Sequence, residues 1–245
     1  MYVTPSSFEA PATITPSIQR GVTAASNGFT VNVDAGTYDG QVVIDNKNIT
    51  LKGAGATTIL RPSSPSSIPS LYTYPSGVFP GWVGTVMAST VLVKNTTAVT
   101  LKDFKVDGVN VTSLPAGAGR LAGILLGESG GVIDNVTVTT IKTTGYANRS
   151  YGIDISAVSG AHTVEVKNSA ISDWARNGIQ VMGGSLTANI HNNTLVGPGT
   201  IGTDNVPNGI LIMHGVGGNA TANIIHELHY STSASRGAGI LCTIR

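Results

Sequence analysis

Four of the seven arginines in this 245-residue chain occupy one place in a recurring motif. Arg120, Arg149, Arg176 and Arg236 precede the glycine of an x-Gly-Ile-x-aliphatic pattern by three, three, two and three residues. If the motifs stack, the four side chains form a column at one strand edge, self-repulsive unless carboxylates or a bound anion offset it. A guanidinium fork matches carboxylate or sulfate through paired hydrogen bonds, so the chemistry implied is anion binding along the stack. The alternative is that the arginines solubilise the edge and pair with nearby aspartates. One copy breaks the column, with Pro207-Asn208 ahead of its glycine.

The groups that could work beside them are Asp154, in Tyr151-Gly-Ile-Asp-Ile-Ser156, with Asp173 and Gln180. The position of Asp154 is Leu, Gln, Leu and Leu in the other copies, so it reads as a solvent-facing rung residue. Asp154, Asp173 and Glu128 could approach one another on neighbouring coils, and clustered carboxylates are what a calcium ion takes. His226-Glu-Leu-His229 lacks the His-Glu-x-x-His spacing of a zinc protease, and with His214 it is at most a chance metal site. The segment 61–90 is rich in Pro, Ser and Gly and holds Tyr72, Tyr74, Phe79 and Trp82 in a loop too long for a plain connection. Its aromatic faces either meet a ligand or form a lid over Leu125, Leu211 or Met213.

The elements that position these residues follow from the repeat. The motif occurs at Gly123, Gly152, Gly178, Gly209 and Gly239, with spacings of 29, 26, 31 and 30 residues. After each comes a second alternating run, at 131–138, 163–171, 186–195 and 221–228, with 99–106 as an earlier member. Aliphatics two apart read as strands with one buried face. Asp103, Asn135, Asn168 and Asn192 recur within these runs; such residues tolerate left-handed backbone and suit bends, and stacked they would form an asparagine ladder. Short strands, bends and a return near 30 residues describe a coil of a parallel β-helix. Ahead of the repeats, Thr15-Pro16-Ser17 followed by Ile18, Val22 and Ala25 predicts a short helix over 15–27, with Pro in the first turn and Asn27-Gly28 as the stop. Strands follow at 29–33, 41–44, 49–51 and 58–60. The fold class expected is all-β, a single right-handed parallel β-helix over 1–245: a cap helix at 15–27, an aromatic loop at 61–90 and regular coils over 91–245.

Composition agrees with one packed domain: 41% apolar, 11% charged and 31 glycines. A net charge of +1 provides no bulk field toward nucleic acid or an anionic membrane. A single cysteine, Cys242, excludes an internal disulfide framework. No apolar run is long enough for a membrane helix, so no membrane insertion is expected. Low charge with abundant Thr, Ser and Asn, and seven Asn-x-Ser/Thr sequons, reads as an extracellular or surface protein whose leader, if one existed, has been removed. The last coil holds only a few residues, so an end-to-end homo-oligomer is a further expectation.

The opening resembles the pectin-lyase-like β-helix superfamily. Ser-Ile-Gln-Arg-Gly-Val-Thr-Ala-Ala, then Val-Asn-Val-Asp-Ala-Gly-Thr-Tyr and Asn-Ile-Thr-Leu-Lys-Gly-Ala-Gly, carry the likeness, and the later coils extend it over most of the chain. The resemblance implies polysaccharide as the partner, acted on by a lyase or a glycoside hydrolase, or bound by a non-catalytic surface module. For β-elimination, Arg149 or Arg176 is the candidate base, Asp154 and Asp173 are the orienting or calcium-binding acids, and Ca2+ is the implied cofactor. Arg120, Arg236, Gln180, Tyr151, Trp174 and Trp82 are then the substrate-binding candidates. Tyr151 to Ser156 is similar to the Tyr-Gly-Phe-Asp-Pro-His of alginate-type C5-epimerases. Ser156 stands where the histidine belongs, and serine alone is no base for that chemistry. The pattern of pectinesterases, with its paired glutamines and two aspartates, is also absent.

Overall fold

The computed structural model describes residues 1–7, 15–78, 80–144, 149–201, 207–230 and 237–243. They form a right-handed parallel β-helix, the hand that nearly all parallel crossovers take. One wall is an eight-stranded sheet and the remaining walls merge into a 13-stranded sheet. The regular rungs of the eight-stranded sheet are Val86–Lys94, Arg120–Gly127, Ser150–Ser156, Asn177–Met182, Asn208–Met213 and Ile240–Thr243, all parallel.

The glycine of the repeat has a steric cause. Ladder partners run Ala122 to Tyr151 and Ile124 to Ile153, stepping over the glycine between them. A Cβ on Gly123 would sit 2.8 Å from the carbonyl oxygen of Gly152, and one on Gly152 would sit 2.5 Å from that of Gly178. The same clash continues from Gly178 to Gly209 and from Gly209 to Gly239. Only glycine lets successive coils close to the strand spacing of about 4.8 Å at this column. The following isoleucines, Ile124, Ile153, Ile179 and Ile210, then stack in the interior, all fully buried.

The bends also have a physical logic. Asp103, Asn135, Asn168 and Asn192 all take left-handed backbone angles, with φ of 59°, 53°, 52° and 57°. The expected ladder between their side chains forms at one step, Asn135 Nδ2 donating to Asp103 Oδ1 at 2.8 Å. Asn168 turns instead to Asp134, and Asn192 meets the ring of His191. A separate inward ladder runs through the next residues. Asn193 donates to Asn223 Oδ1 and to the Val166 carbonyl, while its own Oδ1 accepts from the Ser169 amide. At an interior corner the main-chain groups have no water, so an amide side chain that both donates and accepts satisfies them.

The helix spans Ile18–Ala24 and begins later than the sequence predicts. Ser17 is its N-cap, without a side-chain capping bond, so Pro16 lies ahead of the helix rather than in its first turn. Ile18 and Val22 join the core. Gln19 uses its amide as a substitute strand: Oε1 accepts from Val43 N at 2.6 Å and Nε2 donates to Val43 O at 3.1 Å. This covers the outermost strand of the eight-stranded sheet, Val42–Asp45, whose unpaired edge would otherwise invite association. No helix is long and apolar enough to cross a membrane among the described residues.

Two substitutions test the coil geometry with opposite signs. Gly152→Ala places a methyl 2.5 Å from both Gly178 O and Ile171 Cγ2, and is expected to destabilise by about 2–3 kcal/mol. Ala222 holds φ of 52° at the position equivalent to Asn168 and Asn192, so Ala222→Asn is expected to stabilise by roughly 0.5–1 kcal/mol. Denaturant midpoints at constant slope measure both.

Candidate functional site

The outward face of the eight-stranded sheet is not open. The 61–90 segment folds back on it through Leu71–Thr73, which pairs antiparallel with the start of Val86–Lys94. A hairpin follows, closed by Tyr74 N to Thr85 O and Gly84 N to Tyr74 O, both 3.0 Å. Left-handed Gly77 and Gly84 lie at its turns, and a short 3-10 turn spans Pro80–Trp82. Tyr72 meets Tyr74 edge-on at 6.1 Å, Tyr74 stacks on Trp82 at 6.1 Å, and Trp82 lies 5.9 Å from the Tyr151 ring. With Val78 they cover Leu92, Leu125, Met182, Leu211 and Met213, a second apolar core outside the barrel. Of the two sequence readings of this segment, the geometry is that of a lid. Phe79 lies outside the described residues.

Burial on both faces changes the reading of Asp154. Expected on a solvated rung, it is 0% exposed. Its Oδ2 accepts from the Tyr74 hydroxyl at 2.7 Å and its Oδ1 from Gln180 Nε2 at 2.6 Å. Gln180 Oε1 accepts from Asn177 Nδ2 at 2.7 Å, and Asn177 Oδ1 from Asn208 Nδ2 at 2.9 Å. A polar chain thus crosses three coils on a face where the neighbouring coils present leucine. Desolvation pushes the Asp154 carboxyl up to about 6, while the hydrogen bonds from Tyr74 and Gln180 and the charge of Arg120 hold it down. Tyr151 is equally buried, and desolvation drives its phenol far above the ordinary value.

Arg120 joins this covered face to the surface. Its guanidinium donates to the Tyr151 hydroxyl and lies over the Trp82 ring, 4.3 Å from the centroid. It also lines a cleft of about 540 Å³ with Arg149, Thr85, Val86, Gly117, Ala118 and Gly119. Two of the four arginines named by spacing therefore open into one cavity. Arg176 is partly exposed at the start of the next coil, and Arg236 lies outside the described residues.

Other candidates do not join the site. Trp174, expected to meet substrate, is 0% exposed within the barrel core. It follows Asp173, whose left-handed backbone turns Trp174 inward. Asp173 itself is on the 13-stranded sheet, where its carboxylate meets Lys142 Nζ at 2.6 Å. Glu128 accepts from the Val158 and Ser159 amides and from Ser159 Oγ. The three acids thus have separate partners and do not form the cluster a calcium ion needs. Among the described residues no group of three or more His, Cys, Asp or Glu side chains could hold a metal. This includes the histidine motif, where Glu227 lies 3.0 Å from His229 and 4.0 Å from His226 on an exposed strand. The residues that sequence reasoning missed are Asn177 and Asn208. Their signal was faint: the asparagine just before Gly178 and Gly209. Tyr74 was named among the aromatics of the 61–90 segment, but not as the partner of Asp154.

No family model matches the sequence, and no curated protein does. Among solved structures, the Family 28 exopolygalacturonase of Yersinia enterocolitica is 15% identical, aligning all of this chain with 64% of its own at a TM-score of 0.44. The PL6 family alginate lyase AlyGC is 13% identical, with all of this chain on 39% of that one at 0.45. An alginate lyase from Paenibacillus sp. is 13% identical, covering 93% of this chain and 96% of its own at 0.31. The chain spans less than two thirds of the length of the first two.

The raised carboxyl makes a pH prediction. Because Asp154 ionises less readily when folded, its contribution to stability is complete below the unfolded value of about 4 and is lost as pH rises through about 6. Asp154→Asn keeps an acceptor and a donor in place, so it is expected to remove about 2–3 kcal/mol of this pH dependence. Denaturation of both proteins from pH 4 to 8 measures the difference; parallel curves would show that the carboxyl does not titrate in this range.

Proposed function

We infer that this chain is an extracellular protein that binds an acidic polysaccharide in the cleft at the arginine edge of the eight-stranded sheet. The observation that carries the reading is the convergence of Arg120 and Arg149 on one open cavity of about 540 Å³. Small residues, Gly117, Ala118 and Gly119, line it beside Thr85 and Val86, leaving room for a ring bearing a carboxylate or sulfate. Paired guanidinium groups bind such an anion more tightly than a neutral sugar, because charge-assisted forks are the stronger hydrogen bonds.

Recognition fits the residues better than hydrolysis does. A glycosidase needs two carboxyl groups flanking one bond at roughly 5–9.5 Å. Asp154 is sealed beneath the aromatic segment, and Asp173 sits on the other sheet beside Lys142. If the chain has turnover, β-elimination is the reaction its residues suit, with Arg149 at the cleft as base.

Calorimetric titration with oligogalacturonate, alginate oligomers and neutral dextran tests the reading. The uronates are expected to bind with affinity that falls as salt rises, and dextran not to bind. Arg149→Ala is expected to weaken uronate binding about tenfold, the loss of one charge-assisted contact of about 1.5 kcal/mol. Equal affinity for dextran and uronate would sink the assignment. Absorbance of an unsaturated product during the same incubation would identify a lyase.

A further inference from the structure

The polar chain on the covered face has no packing reason. In register with Asp154 and Gln180, the neighbouring coils place Leu92, Leu125 and Leu211 outward, and leucine would fill the same space without buried polar atoms. Asp154, Gln180 and Asn177 are instead aligned by one another, and the remaining hydrogen bond to Asp154 comes from the covering segment, through Tyr74. A hydroxyl donates to the carboxylate, and flat rings lie over it. Those are the contacts a sugar would make.

The covering segment is tied to the arginine cleft in two ways. Thr85 and Val86, the stem on which the hairpin closes, form part of the cleft wall. Arg120 lines the same cleft and carries the cation–π contact to Trp82. A carboxylate that engages Arg120 from the cleft changes the group that holds the aromatic wall, so occupancy of the cleft and position of the segment cannot be independent.

We propose that the aromatic hairpin is a lid whose Tyr74 and Trp82 occupy an inner sugar subsite formed by Asp154, Gln180 and Asn177, and that a polyanion bound in the arginine cleft lifts it. This rests on the reading of the cleft given above. The inner subsite takes hydroxylated rings, and the cleft takes the charge. Linkage then requires the reverse effect: any change that opens the lid tightens binding in the cleft.

Gly127 provides such a change away from both sites. A Cβ there would lie 2.4 Å from the Tyr72 ring, which is the end of a side chain and can leave, so Gly127→Ala is a wedge under the lid. The experiment titrates the whole chain with oligogalacturonate, following binding heat, tryptophan emission and chymotrypsin cleavage after Tyr72 and Trp82. The chain has two tryptophans, and Trp174 is sealed in the core, so the difference from Trp82→Phe isolates Trp82. Binding should come with a red shift of Trp82 and faster cleavage in the lid. Gly127→Ala should show both without ligand and bind roughly 5–150-fold more tightly, the usual range of such coupling. Heat without any change in emission or cleavage overturns the lid and leaves the cleft reading standing. Absence of heat removes the cleft reading and the lid proposal with it. The wild-type titration decides the matter even if the wedge variant fails to fold.

Discussion

The close approach of successive coils along the glycine column is the constraint on which the rest of this molecule depends. Along that column each glycine carbonyl of the next coil occupies the space a side chain would need. Backbone contact there fixes the vertical register, and the register fixes which side chains stack. The residue before each glycine and the residue two after it become outward columns, Ala122-Tyr151-Asn177-Asn208 and Leu125-Asp154-Gln180-Leu211. Each coil contributes one member to each column, so an outward surface is composed one residue per coil of about 30.

That outward surface is then covered, which turns an ordinary rung into an energetic problem. A carboxylate without water needs partners, and Asp154 has them from three sources: the next coil through Gln180, the lid through Tyr74, and the field of Arg120. They keep its carboxyl near 6 against the pull of full desolvation. The same lid has a cation built into its aromatic wall, Arg120 over Trp82, and that residue also lines the cleft. Charge, aromatic packing and the buried polar chain therefore meet at one side chain.

Much of the architecture was legible because repetition averages over local ambiguity. Five copies of one glycine motif and a recurrent bend residue identify stacked coils even though no single strand is distinctive. Side-chain partners were less legible. Asn168 shares its backbone angle with Asn135 but turns to Asp134, because the acid one residue before the bend offers a stronger acceptor. The inward ladder of Asn193 and Asn223 escaped notice because it sits one residue past the bend, where the pattern suggests an aliphatic. Trp174 looked like a binding aromatic, since nothing local shows that the left-handed turn at Asp173 sends it inside.

The sequence by itself determined the coil, the glycine column and the left-handed bends, since each follows from a local backbone preference repeated at a fixed period. Only the tertiary structure decided that the face bearing Asp154 is closed, that Asp173 and Glu128 lie apart from it, and that Arg120 and Arg149 share a cavity. Those outcomes depend on where a non-repeating segment returns and on which coil surfaces it meets. Such contacts join residues some 80 positions apart, as Tyr74 and Asp154 are, and leave no period to read.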